Sequence, residues 1–276
     1  MLAVKSLFVR TVTGALFVAV IVFCILWSEY SFAVLFALIT ALSVAEFYRL
    51  VAPLHPVRKS TTNIDIIGAV LLFFTMYAYE TGDFKQGGIV AAPYLLYFLI
   101  RFIMQLYDKK ERPLEGWAYS FLGQIYVALP FSLCNILYFR FDTPLILLAL
   151  FVFIWANDTG AYLVGCTLGR HKLFERISPK KSWEGFWGGL IVSVGIGVLA
   201  SLYFDILNLW QWMGFALTCS LFGTWGDLCE SLIKRTMGVK DSGNILPGHG
   251  GWLDRFDSVL LAGPAAILYL FVVLYI

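Results

Sequence analysis

Long apolar runs separated by short polar connections repeat along the whole of this chain. They fall near 11–27, 32–48, 64–79, 89–106, 116–138, 145–168, 186–204, 213–233 and 259–276. A helix needs roughly 20 apolar residues to cross the hydrocarbon core of a bilayer, and each run approaches that length. A water-soluble fold would have to leave much of this apolar surface exposed. Of the 276 residues, 60% are hydrophobic and only 14% charged, against roughly 25% charged in soluble domains. The expectation is an all-α polytopic membrane protein with about nine transmembrane helices. Two of the runs, the sixth and the eighth, are interrupted by polar groups.

The basic residues orient these spans, because cytoplasmic loops retain lysine and arginine. One set of helix tips holds Lys5 and Arg10; Arg49, Arg58 and Lys59; Lys109, Lys110 and Arg112. The same set continues with Arg170, Lys172, Arg176, Lys180 and Lys181, then Lys234, Arg235, Lys240 and Arg255. That is 17 of the 20 lysines and arginines; the opposite tips hold Lys85 and Arg140, and Arg101 lies inside a span. The N-terminus is therefore expected in the cytoplasm and the C-terminus outside. The first run lacks a small-residue cleavage site after Trp27 and reads as a membrane helix, not a signal peptide. A net charge of +2 provides no broad basic surface for nucleic acid. Cys24, Cys134, Cys166, Cys219 and Cys229 sit in apolar stretches without a C-x-x-C pair and read as small buried hydrophobes.

Polar residues concentrate in three places. The segment from Gly226 to Ser258 carries Asp227, Glu230, Asp241, Asp254 and Asp257, interleaved with Lys234, Arg235, Lys240, His249 and Arg255. Asp227 and Glu230 are three apart and share a helix face; Asp254 and Asp257 are read as the equivalent pair at the start of the following span. Hard divalent cations bind through a few carboxylates and substrate phosphate oxygens. The glycines between Met237 and Trp252, Gly250 and Gly251 among them, let backbone N–H groups approach a polyphosphate. The lysines and arginines supply counter-charge for a transferring phosphoryl group. Second, Asn157, Asp158 and Thr159 interrupt the sixth run, where a charge is costly unless paired or functional. Asp158 is expected to face the same polar cavity as Asp227, with Tyr162, four residues on, at the cavity wall. Third, in Ser178-Pro179-Lys180-Lys181-Ser182, Ser182 is a candidate N-cap with Glu184 in the first turn, and both lysines precede a helix N-terminus able to hold an anion. Gly165 and Gly169 read as a close helix-packing pair. Glu46 reads either as a group behind the site or as a charge at a helix end. Arg101 with Gln105 reads either as a lipid-phosphate contact or as a partner for an acid.

These elements resemble the phosphatidate cytidylyltransferases. The resemblance rests on Ser231-x-x-Lys234-Arg235-x-x-x-x-Lys240-Asp241-x-Gly243, then Leu246-Pro247-Gly248-His249-Gly250-Gly251 and Asp254-Arg255-x-Asp257. The Asn157–Tyr162 and Ser178–Gly185 elements are similar to that family as well. It implies an enzyme, a nucleotidyltransferase that takes CTP and phosphatidic acid to CDP-diacylglycerol and pyrophosphate in phospholipid biosynthesis. It further implies magnesium, with a monovalent cation such as potassium, held around Asp227 and Asp254, and a homodimer. Asp257 and Asp241 are expected as further metal ligands or supporting groups. Lys234, Arg235 and His249 join the aspartates as catalytic candidates. Lys180, Lys181, Lys240, Arg255, Asn157, Asp158, Tyr162, Ser182, Gly250 and Gly251 are the substrate-binding candidates, undivided between CTP and lipid. The organisation expected is one membrane domain, 1–276. In it, 1–145 supplies N-terminal helices and 146–276 the catalytic helices with cytoplasmic loops 169–185 and 234–258, in a bacterial inner membrane. Two other readings fit parts of the pattern: a CTP-dependent polyprenol- or dolichol-kinase-like enzyme, and a secondary transporter with intramembrane carboxylates.

Overall fold

A computed structural model of the chain describes residues 2–54, 59–82, 87–107, 112–243 and 250–275. All nine expected apolar runs fold as helix. In chain order the helices are α1 (Leu2–Trp27), α2 (Glu29–Val51), α3 (Lys59–Thr81), the single turn α4 (Gly87–Val90), α5 (Ala92–Leu106) and α6 (Pro113–Leu122). They continue with α7 (Leu129–Phe139), α8 (Leu145–Leu168), α9 (Trp183–Tyr203), α10 (Leu209–Thr236) and α11 (Asp257–Tyr275). Among the described residues, six helices are long and apolar enough to cross a membrane: α2, α3, the continuous Pro113–Phe139, α8, α9 and Asp257–Leu274 of α11. Val12–Trp27 and Ala92–Leu106 are shorter apolar helices. The protein is thus an α-helical integral membrane protein. The α10 helix has the length, at 28 residues, but is not among the six; Asp227, Glu230, Lys234 and Arg235 all lie on it. One departure from all-α is a small antiparallel hairpin, β1 (Lys172–Phe174) with β2 (Ser178–Ser182).

The chain forms two compact units, Met1–Arg140 with Met237–Arg255, and Phe141–Thr236 with Phe256–Ile276.

In the first unit, the break between α1 and α2 comes from a reciprocal cap. Ser31 N–H donates to Ser28 Oγ and Ser28 N–H to Ser31 Oγ, each at 3.1 Å, satisfying two donors a helix start leaves unpaired. Phe32, fully buried, stacks on Tyr138 at 4.1 Å. Between α6 and α7, Gly123–Ala128 forms a π-helical turn in which Leu129 N–H reaches back to Gln124 O. Pro130 follows directly and has no N–H for the regular ladder, a recurrent cause of such adjustments. Asp65 is wholly buried. It accepts from Tyr97 OH at 2.8 Å and from the hydroxyls of Tyr48 and Ser120, and pairs with Arg101 Nε at 3.3 Å. Arg101 also donates to Gln105 Oε1 and Gly116 O. The alternatives left open for Arg101 resolve to the acid partner.

In the second unit, α8 is one uninterrupted helix through Asn157–Gly160; the polar break in the sequence does not break the backbone. It packs against α9 through small residues. A Cβ on Gly160 would lie 3.0 Å from Gly189 Cα, and one on Gly185 3.2 Å from Gly165 Cα, the close approach that small residues permit between membrane helices. Gly226 likewise brings α10 against the start of α11, where a Cβ would lie 2.6 Å from Asp257 O. Asp254 and Asp257 are not a pair on one helix. Asp254 sits in a 3₁₀ turn (Leu253–Arg255) in the first unit, and Asp257 opens α11 in the second. The cysteines are not uniformly buried either: Cys134 and Cys219 are, whereas Cys166 and Cys229 are exposed.

Candidate active site

The second unit encloses an open cavity of about 310 Å³. Helix α8 contributes Asn157, Asp158, Ala161 and Tyr162 to its wall, α10 contributes Thr224 and Asp227, and Phe186 comes from α9. The hairpin supplies Leu173, Lys180 and Lys181, with Ser182 at its end. Asp158 and Asp227 therefore face one cavity, as their sequence positions predict.

Local rules explain how the hairpin presents its lysines. Ser182 is the N-cap of α9, its Oγ accepting from Gly185 N–H at 3.2 Å, as expected. Glu184, in the first turn, turns back to the hairpin. Its carboxylate accepts from the N–H groups of Arg170 and His171 at 3.0 and 3.2 Å and meets His171 Nδ1 at 2.6 Å. On α10, Arg235 donates through Nε to Ile177 O at 3.2 Å. The hairpin is thus held by α9 on one side and α10 on the other, and β2 directs Lys180 and Lys181 to the cavity. None of this β-structure is apparent in the sequence, where Lys180 and Lys181 look like loop residues.

The charges are interlocked. Lys181 Nζ lies 2.6 Å from Asp227 Oδ2, both side chains under a third exposed, and Ser231 Oγ donates to Asp227 Oδ1 at 3.2 Å. One turn on, Lys234 pairs with the fully buried Glu230. Asp257 lies within electrostatic range of Asp227, Glu230, Lys234 and Asp158, and its Oδ1 accepts from the adjacent Ser258 N–H at 2.6 Å. Asn157 is nearly buried and donates through Nδ2 to Thr224 Oγ1 at 3.3 Å. Thr224 is a polar wall residue the sequence reading passed over, and Glu184, read only as a first-turn residue, also holds the hairpin. Thr224 was accessible to it, lying three residues before Asp227 and hence on the same helix face.

The remaining candidates belong to the first unit. Asp254 Oδ2 accepts from Ser242 N–H at 3.0 Å and Gly251 N–H at 2.8 Å. Gly250, at φ +80°, takes the left-handed conformation that glycine permits; a Cβ there would lie 3.0 Å from Asp254 Oδ2 and 3.8 Å from Asp241. Lys240, Asp241 and Arg255 are exposed. His249 lies outside the described residues. The expected metal pair, Asp227 and Asp254, has one member in each unit. Among the described residues no group of three or more His, Cys, Asp or Glu side chains stands close enough to hold a metal ion unaided.

Comparison with known proteins gives these residues a setting. A family model described as the cytidylyltransferase family matches residues 8–273. The phosphatidate cytidylyltransferase of Staphylococcus epidermidis is 35% identical over 207 residues, covering 72% of this chain and 76% of the relative. That of Staphylococcus haemolyticus is 37% identical over 203 residues with the same coverage. That of Staphylococcus aureus is 57% identical over 116 residues, 41% of this chain and 44% of the relative. With nearly its whole length matched, this chain belongs to the cytidylyltransferase family.

Proposed function

We propose that this chain transfers the cytidylyl group of CTP to phosphatidic acid, giving CDP-diacylglycerol and pyrophosphate, and that the cavity of the second unit is where the phosphates react. The observation that carries the site is the Lys181–Asp227 pair on the wall of a cavity also lined by Lys180, Asp158 and Asn157. A phosphate monoester of a lipid is already an anion near neutral pH. It attacks the α-phosphorus of CTP, the bond to the β-phosphate oxygen breaks, and pyrophosphate departs, with no base required. The protein's work is positioning and charge stabilisation. Lys180 and Lys181 hold phosphate oxygens. Asn157, fixed by Thr224, offers a polar contact at the wall. Leu173, Phe186 and Tyr162 provide apolar and aromatic surface beside the charged groups.

The residues present fit a magnesium ion completed by substrate, since that ion binds through one or two carboxylates together with phosphate oxygens. They do not form a cage for an ion without substrate. Asp227 is the ligand we assign from the cavity; magnesium, with potassium as a second ion, would neutralise charge on the transferring phosphates. Asp254, Asp257 and Asp241 are secondary candidates, because Asp254 Oδ2 and Asp257 Oδ1 each accept backbone N–H groups of their own segments. Lys234 and Arg235 act through Glu230 and the hairpin backbone. The charge asymmetry of the loops supports a cytoplasmic site in a bacterial inner membrane, and a homodimer belongs to the same proposal.

The test uses purified protein, phosphatidic acid vesicles and CTP labelled in the cytosine or the γ-phosphate. Cytosine label entering the lipid with release of pyrophosphate is expected. Transfer of the γ-label with release of CDP would instead identify a kinase, and no transfer of either label would reject both.

A further inference from the structure

Glu46 is the acid whose purpose the sequence left open. It lies on α2 with no exposed surface, where an uncompensated carboxylate is costly. Its compensation comes from the segment Met237–Arg255 of the same unit. Ser242 Oγ donates to Oε1, and Trp252 N–H donates to Oε2 at 2.7 Å. Asp254 takes the complementary donors, Ser242 N–H and Gly251 N–H. Ser242 is therefore gripped twice, by its backbone and by its hydroxyl, and two carboxylates tie Asp241–Gly243 to Gly250–Asp254. Two glycines make room for the grip. A Cβ on Gly243 would lie 2.9 Å from Glu46 Oε1, and a Cβ on Gly251 would overlap Glu46 Oε1 and Ser242 Oγ.

We propose that Glu46 is a positioning residue for cytidylyl transfer, holding both arms of this segment in one conformation through Ser242 and Trp252. The inference rests on the proposed function, in which this segment supplies Asp254 and Asp241 as secondary candidates for the metal. It assigns Glu46 no contact with substrate or metal, so its shape matters and its charge does not. Glutamine preserves the shape: the amide oxygen accepts from Trp252 N–H, and the amide nitrogen donates to Ser242 Oγ. Aspartate preserves the charge but is one methylene too short to reach both donors. Alanine removes both acceptors.

The test compares initial rates and thermal midpoints of purified wild type, Glu46→Gln, Glu46→Asp, Glu46→Ala and Ser242→Ala. Misplacing a reacting group by about 1 Å costs on the order of 10²-fold. Glu46→Ala should therefore lose roughly that factor in kcat at temperatures well below its midpoint. Glu46→Gln should recover most of the loss and exceed Glu46→Asp, and Ser242→Ala should fall between wild type and Glu46→Ala. If alanine does not fold, the order of glutamine and aspartate decides alone. Aspartate more active than glutamine would assign the role to charge and overturn the proposal, as would a Glu46→Ala enzyme that is less stable but turns over normally. A wild type that forms no cytidylyl lipid would overturn the proposed function instead.

Discussion

Replacing Lys181 by methionine separates what the Lys181–Asp227 pair does for the fold from what it does for the reaction. The two charges are 2.6 Å apart with side chains 28% and 30% exposed. A pair near a protein surface has a raw Coulomb attraction of about 4 kcal/mol at 4 Å and an effective dielectric constant of 20. Solvent screening and the entropy of holding a lysine reduce the net contribution to about 1 kcal/mol or less. At roughly 2–4 °C per kcal/mol for chains of 150–250 residues, the thermal midpoint should fall by only a few degrees. Methionine keeps most of the apolar stem, so little packing is lost. In the proposed reaction the same side chain faces charge that develops during transfer, and one such donor is worth about 10²–10³ in kcat. The variant should thus be nearly as stable as wild type and at least about a hundredfold slower. Removing the cation also leaves Asp227 without its ion-pair partner and beside the carboxyl of Asp257, so millimolar magnesium should restore the midpoint without restoring the rate. The assay is cytidine incorporation into lipid beside a thermal melt of the same detergent preparation. A Lys181→Met enzyme that retains turnover, or one whose rate falls only because it unfolds, would refute the assignment of Lys181 to phosphate.

Three further outcomes are expected. Asp158→Leu should keep its thermal midpoint and lose at least about tenfold in rate, since Asp158 is exposed on the cavity wall; a fully active leucine variant would remove it from the site. Gly189→Ala places a methyl 2.5 Å from Asn157 O and 2.7 Å from its Oδ1, so overpacking between α8 and α9 should cost about 1–3 kcal/mol, read as a lower midpoint. Single cysteines at Ser178 and at the exposed Val239, with the five native cysteines replaced, should react with impermeant reagents in inverted vesicles only, and labelling in intact cells would reverse the proposed orientation.

Helices in a membrane are legible in one dimension, because a bilayer demands backbone bonds satisfied within each segment and about 20 apolar residues per crossing. That is why every apolar run of the sequence returned as helix, and why the cap at Ser182 and the shared face of Asp227 and Thr224 follow from spacing alone. The charged groups of the cavity were legible for a related reason: charges in apolar surroundings are conspicuous, and Asp158 and Asp227 line one cavity as their positions imply. What the sequence could not specify are the contacts that join distant segments. The β-hairpin that raises Lys180 and Lys181 is held by Glu184 and Arg235, neither of which marks a strand. Asp65 and Arg101 find each other across two helices, and Glu46 meets Ser242 at a separation of 196 residues. No local period encodes such pairings. They arise when packed helices bring polar side chains into a medium without water, where each must find a partner on another element, and only the tertiary structure decides which partner that is.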